Sequence, residues 1–111
     1  MNWIPLRSIE ELEQLVHLSQ QKPLVIFKHS TRCSISTVAK NRLEKSSVPH
    51  DIPFYYLDLI SFRKVSNSIA ERFGIMHESP QILLIKNGKC VYDESHMGID
   101  MKDIKDQLQH H

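Results

Sequence analysis

Leu24-Val25-Ile26-Phe27 is apolar at every position, and it lies between Pro23 and a stretch that leads into a helical pattern. A strand with no polar position needs cover on both faces, so this run belongs at the centre of a sheet with elements packed above and below. The stretch that follows is Lys28-His29-Ser30-Thr31-Arg32-Cys33-Ser34-Ile35-Ser36. It places a cysteine where a buried strand ends and a helix begins. Free N–H groups and the positive end of the helix dipole favour a thiolate there, and Arg32 adds a neighbouring cation. The pattern Cys33-x-x-Ser36 keeps the first sulfur of a dithiol motif and puts a hydroxyl where the second would stand. Burial as a structural thiol is the ordinary alternative for a cysteine. The corner position and the polar neighbours argue against it.

The rest of the chain supplies the cover. Ser8-Ile9-Glu10-Glu11 has the form of a capping box, in which the Ser hydroxyl and the Glu carboxylate satisfy each other's backbone N–H groups. Ile9, Leu12, Leu15 and Val16 recur at helical spacing, which predicts a helix to about Gln20 before Pro23. Ile35, Val38, Ala39 and Leu43 predict one face of a second helix, running to about Ser46. Pro49 and Pro53 bracket a loop. Phe54-Tyr55-Tyr56-Leu57-Asp58-Leu59 reads as a strand. Strand, helix, strand in this order implies a right-handed parallel crossover. Phe62, Val65, Ile69 and Phe73 mark a third helix, with Gly74 as its C-cap. Ser79-Pro80 introduces the strand Gln81–Lys86, and Asn87-Gly88 is a strong hairpin signal that returns the chain over Lys89–Glu94. Asp100 is placed to cap a closing helix marked by Met101, Ile104 and Leu108. The expected order is α-β-α-β-α-β-β-α. No repeat or linker breaks it, so a single domain over 1–111 is expected.

Composition narrows the function classes. The chain has 111 residues, 41% of them apolar, enough for one packed core. Net charge is +1 and the basic residues are scattered among acidic ones, so no nucleic-acid partner is expected. No apolar run approaches the ~18–20 residues of a membrane span, and Met1-Asn2-Trp3-Ile4-Pro5 does not look like a signal peptide. Two cysteines make no disulfide framework. A cytoplasmic location, where lone thiols stay reduced, is therefore expected. No Cys-x₂₋₄-Cys or His-x₃₋₅-His pair stands in the body of the chain, so no metal is expected. His110-His111 reads as a tag remnant and is left out of the function.

From Leu24 onward, the order β-α-β-α-β-β-α with Cys-x-x-Ser at the first corner and Ser-Pro before a later strand looks like the thioredoxin superfamily. More narrowly, Lys28-His29-Ser30-Thr31-x-Cys33-x-Ile35-Ser36, Glu78-Ser79-Pro80-Gln81 and Ser95-His96 resemble the YtxJ family of monothiol bacilliredoxins. The resemblance covers nearly the whole chain. Ser34 departs from it, since proline is expected after the cysteine; the change bears on the rigidity of the helix start, not on the nucleophile. The resemblance implies an α/β thioredoxin-like fold: a central mixed sheet with a parallel βα pair, a C-terminal antiparallel hairpin and flanking helices. It implies a thiol-disulfide oxidoreductase that removes bacillithiol from protein mixed disulfides through Cys33. S-thiolated client proteins and the low-molecular-weight thiol would be its partners. Bacillithiol would be a co-substrate, with no cofactor held. Nothing in the residues separates bacillithiol from glutathione or coenzyme A.

The remaining site residues carry alternatives. Ser36 either donates to the Cys33 thiolate or satisfies first-turn backbone. A proline at 80 reads on its residues as a trans bond that starts a strand; the resemblance implies a cis bond, with Ser79 and Pro80 offering backbone to substrate. The returning strand brings Ser95 and His96 back to the end that holds Cys33, where glutaredoxin-like proteins hold the polar groups of a small thiol; otherwise they are a strand exit. His29 could tune the thiol, although a solvated or backbone-bonded histidine is the plainer reading. Asp58 is either a structural acid or a proton relay. Cys90 falls just past the hairpin turn, ~20 Å from Pro80 at ~3.3 Å per residue, whereas a disulfide needs Cα atoms within about 7 Å. It reads as a strand thiol. Two other classes compete: an iron–sulfur carrier like monothiol glutaredoxins, whose Cys-Gly-Phe-Ser differs from Cys33-Ser34-Ile35-Ser36, and a non-catalytic thioredoxin-fold binding module.

Overall fold

The computed structural model describes residues 1–111. Its elements are β1 Trp3–Pro5, α1 Ile9–Leu18, β2 Leu24–His29, α2 Ser34–Lys45, β3 Phe54–Asp58, α3 Arg63–Phe73, β4 Gln81–Lys86, β5 Lys89–Ser95, a 3₁₀ turn His96–Gly98 and α4 Met101–His110. The strands form one sheet in the order β1-β3-β2-β4-β5. β1, β3 and β2 are parallel, while β4 and β5 are antiparallel to their neighbours. This is the mixed sheet and hairpin that the sequence predicts, with one strand added.

The added strand is β1. It is only three residues long and carries no alternation, so it gives little signal. Pro5 is tolerated because β1 is an edge strand. Trp3 anchors it, with its ring stacked on Phe27 at 5.5 Å and its Nε1–H donated to Glu44 Oε2 at 2.7 Å.

β2 divides the core between the two faces of the sheet. Leu24 and Ile26 pack with Leu12 and Leu15 of α1, Val65 and Ile69 of α3, and Leu83 and Ile85 of β4. Val25 and Phe27 pack on the other face with Ala39 and Leu43 of α2, Ile82 and Leu84 of β4, and Ile104 of α4. Each of these Val, Leu, Ile and Phe side chains, fully buried, contributes about 1.5–3 kcal/mol. β2 also continues through Lys28 and His29, both buried despite their polarity.

Three local expectations are corrected. α1 ends at Leu18, because Ser19 closes the helix and is buried under the hairpin tip. The Ser8 hydroxyl accepts from Glu11 N at 3.1 Å, but the Glu11 carboxylate reaches past Ser8 to accept from Arg7 N at 2.7 Å. On α2 the buried stripe is Ser36, Ala39 and Leu43, while Ile35 and Val38 are 42% and 45% exposed. The stripe follows the i, i+3, i+7 spacing from Ser36, and the small hydroxyl fits beneath the helix start where Ile35 would not.

Gly74 ends α3 in the left-handed region at φ 64°. Asn87 and Gly88, at φ 53° and 74°, form the two-residue turn of the β4–β5 hairpin. Asn87 N–H donates to Ser19 O at 2.8 Å and Gly88 N–H to Ser19 Oγ at 2.9 Å, so the tip is docked on the end of α1. β4 runs antiparallel to β2, which puts this tip and the Cys33 corner at opposite ends of the sheet.

Candidate active site around Cys33

Cys33 is the N-cap of α2, with extended backbone at φ −113° and ψ 119°. Its N–H donates to Ser30 O at 3.2 Å, which tightens the turn out of β2. The thiol's pKa is lowered. The Ser36 backbone N–H does most, followed by the Ser36 hydroxyl; burial opposes them, and the Ile35 N–H adds a lesser lowering. These are the unsatisfied donors of the first turn, acting at the positive end of the helix. Arg32 is exposed and is not among the groups that lower the thiol. The expected contribution of its cation is therefore replaced by that of Ser36 and the helix N–H groups.

Ser36 is fully buried and joins two parts of the site. Its Oγ accepts from Ser30 N at 3.4 Å and lies 3.5 Å from Ser79 Oγ. The Ser79–Pro80 bond is cis, and Pro80 is buried. Pro80 O accepts from His96 N at 3.0 Å, and His96 Nε2 lies 2.9 Å from Glu78 Oε2. Ser95 pairs with Gln81 across the hairpin. Cys33, Ser36, Ser79, Pro80, Ser95 and His96 thus gather at one end of the sheet. His96 holds a positive φ of 56° there, a conformation that costs a non-glycine residue free energy. Ile35 and Val38 of α2 and Met97 of the 3₁₀ turn are exposed apolar side chains on the elements that carry these residues. Arg42 donates to Met97 O at 3.3 Å and ties the 3₁₀ turn to α2.

His29 is only 5% exposed, so it is not the solvated histidine that its sequence context suggests. Its ring lies between Phe27 and Tyr56, with centroids 5.7 and 5.3 Å away, and Nδ1 has no hydrogen-bond partner. Burial lowers its pKa, and the ring is not among the groups that act on the Cys33 thiol. The cause is the extension of β2, which carries His29 beneath α2. Asp58 is a structural acid, accepting from Ile60 N at 3.1 Å and Ser61 Oγ at 2.9 Å. Lys28 is a residue that the sequence does not single out: it is fully buried with Nζ unpartnered. A lysine after an apolar run reads as a strand end, and no local signal says otherwise.

Cys90 stands on β5 opposite Ile85, near the hairpin tip. Burial pushes its thiol up to about 11, and its Sγ lies 3.4 Å from Tyr92 O. Two hollows of ≈ 570 Å³ each share Lys22 and the 48–52 loop at the end away from Cys33. Cys33 itself is part-exposed. No helix is long and apolar enough to cross a membrane.

A cysteine at the first βα corner, a cis-proline beside it and a β-α-β-α-β-β-α order together define a thiol protein of the thioredoxin fold. Among solved structures, a presumptive oxidoreductase with a thioredoxin fold is 32% identical, with a TM-score of 0.83 over 96% of this chain and 92% of its own. Malassezia sympodialis thioredoxin (18% identity, TM-score 0.76, 99% and 90% covered) and Fasciola hepatica thioredoxin (16%, 0.75, 97% and 98%) share the fold. The model of the family described as monothiol bacilliredoxin BrxC matches residues 4–104, and the chain belongs to that family. Family and fold neighbours support a thiol redox role.

Proposed function

We propose that this protein is a cytoplasmic, single-domain enzyme that removes bacillithiol from protein mixed disulfides. The Cys33 thiolate attacks the bacillithiol sulfur of the mixed disulfide. The old S–S bond breaks, the client leaves as its thiolate and takes a proton from water, and Cys33 carries the cap. A second bacillithiol thiolate then attacks the capped bond, releasing bacillithiol disulfide and restoring Cys33. Ser36 and the first-turn N–H groups favour the thiolate as nucleophile and as leaving group. Ser79 and Pro80 offer backbone to the client, and Ser95 and His96 contact the small thiol.

The observation that carries this reading is the contrast between the two thiols. Cys33 is accessible at a helix N-terminus with its pKa lowered, whereas Cys90 is pushed up to about 11 at the other end of the sheet. Only one can act, and nothing within reach resolves it. The family supports bacillithiol as the thiol.

Intact mass spectrometry of reduced protein with bacillithiol disulfide, run beside glutathione disulfide, tests it. One bacillithiol adduct is expected, absent in Cys33→Ala and formed faster than the glutathione adduct. Release of bacillithiol from a capped client should follow. No adduct on a freely alkylatable Cys33 would refute the choice of thiol, and modification at Cys90 alone would refute the site.

A further inference from the structure

The end of the sheet that carries Cys33 holds a second polar group on its opposite face. Side chains alternate along β2, so Lys28 follows Leu24 and Ile26 on the face packed by α1 and α3. It is level with Leu57 of β3 and Gln81 of β4. Lys28 is 0% exposed, and its Nζ has no partner in the protein. A buried ammonium without an acceptor is costly.

α3 begins at this same end, directly after β3. Its N-cap is Phe62, which brings no side-chain acceptor, and its first turn holds no acid. Arg63 and Lys64 stand there instead, where a helix favours negative charge. Ser66 in the same turn is fully buried, with its Oγ 3.4 Å from His77 Nδ1. After burial, the charges of Lys28 and Arg63 are what lower the His77 pKa, so the three groups lie close together. The nearby acids bond to other groups and not to Lys28. Glu78 lies 2.9 Å from His96, and Asp58 holds Ile60 N and Ser61. Cations, helix N–H groups and a hydroxyl therefore converge, with Glu78 the one acid that acts on His77 and no acceptor on Lys28 Nζ.

We propose that Lys28, Arg63, Ser66 and His77 form, at the N-terminus of α3, a binding site for a small oxyanion, a carboxylate or a phosphate. Lys28 is the floor, while Arg63 and His77 stand exposed at the mouth. α2 packs on the other face of the sheet, so this site is distinct from the thiol site and does not depend on the redox cycle. A bound oxyanion would supply the acceptor that Lys28 lacks and the charge that the α3 N-terminus favours.

The test is an amide NMR titration of the full reduced chain near pH 7, at constant ionic strength. Inorganic phosphate and succinate are the probes and chloride is the control. Saturable shifts at Arg63, Lys64, Ser66 and His77 are expected with at least one probe and not with chloride. Saturation by phosphate alone identifies a phosphate site, by succinate alone a carboxylate site, and by both a site that reads charge. Lys28→Met should weaken binding at least about tenfold, because the charge-assisted bond is lost, while Cys33 alkylation keeps its rate. Arg63→Ser is the second variant and keeps the test alive should Lys28→Met not fold. Shifts that never saturate, or that spread over all basic residues, would overturn the site. Unchanged affinity in a folded variant would do the same.

Discussion

Ser36 shows how one hydroxyl can serve several groups. It is an acceptor for Ser30 N, lies at 3.5 Å from Ser79 Oγ and favours the Cys33 thiolate. Ser36→Ala keeps the backbone N–H, which does most for the thiol, and deletes the hydroxyl. The thiol pKa then rises, and the rate of alkylation by iodoacetamide against pH moves to the alkaline side. At pH 7 the rate should fall by about tenfold or more, the worth of one hydrogen bond to a charged acceptor. An unchanged profile would leave the helix N–H groups as the sole cause. A second expectation concerns selectivity. With its pKa pushed up to about 11, Cys90 should stay unmodified near pH 7 while Cys33 is carboxymethylated. Mass spectrometry of the folded chain should therefore count one addition, and of the chain in denaturant two.

At the scale of elements, the hairpin and α1 hold each other through Ser19. Ser19→Ala removes the acceptor for Gly88 N–H and the hydroxyl donor to Val16 O. A loss of about 0.5–1.5 kcal/mol is expected from the part-buried bond, read as a lower urea midpoint with an unchanged slope. Elements with strong periodicity or a defined turn are legible in the sequence: β2, α3 with Gly74, and the Asn87-Gly88 hairpin. β1 is not, because its three residues are placed by Trp3 packing across the sheet rather than by a local pattern. The buried face of α2 differs from the expected one because two apolar residues, Ile35 and Val38, lie one step round from the buried stripe. Apolarity says what prefers burial, yet here the position of the sheet decides it. At the site, Cys33, Ser36 and the Ser79-Pro80 step are legible as a motif. The burial of His29 and Lys28 is not, since it depends on how far β2 runs under its neighbours.

For the whole molecule, Lys28 makes stability depend on alkaline pH. Its pKa is lowered to about 8 by burial, against about 10.4 for a free lysine. Between these values the unfolded chain holds a proton that the folded chain has released, so stability rises with pH from about 8 to about 10. Below 8 the full cost of burying the ammonium applies. In buffer free of oxyanions, Lys28→Met should raise stability at pH 7 by about 1–3 kcal/mol and flatten the alkaline rise. Thermal unfolding across that range checks both. The placement of the two sulfurs at opposite ends of the sheet has a consequence at this scale as well. On the proposed cycle no internal bond can discharge the cap, so each molecule waits for a thiol from solution. The fraction of capped protein then follows the balance of disulfide and free thiol around it, much as an indicator electrode takes the potential of its bath.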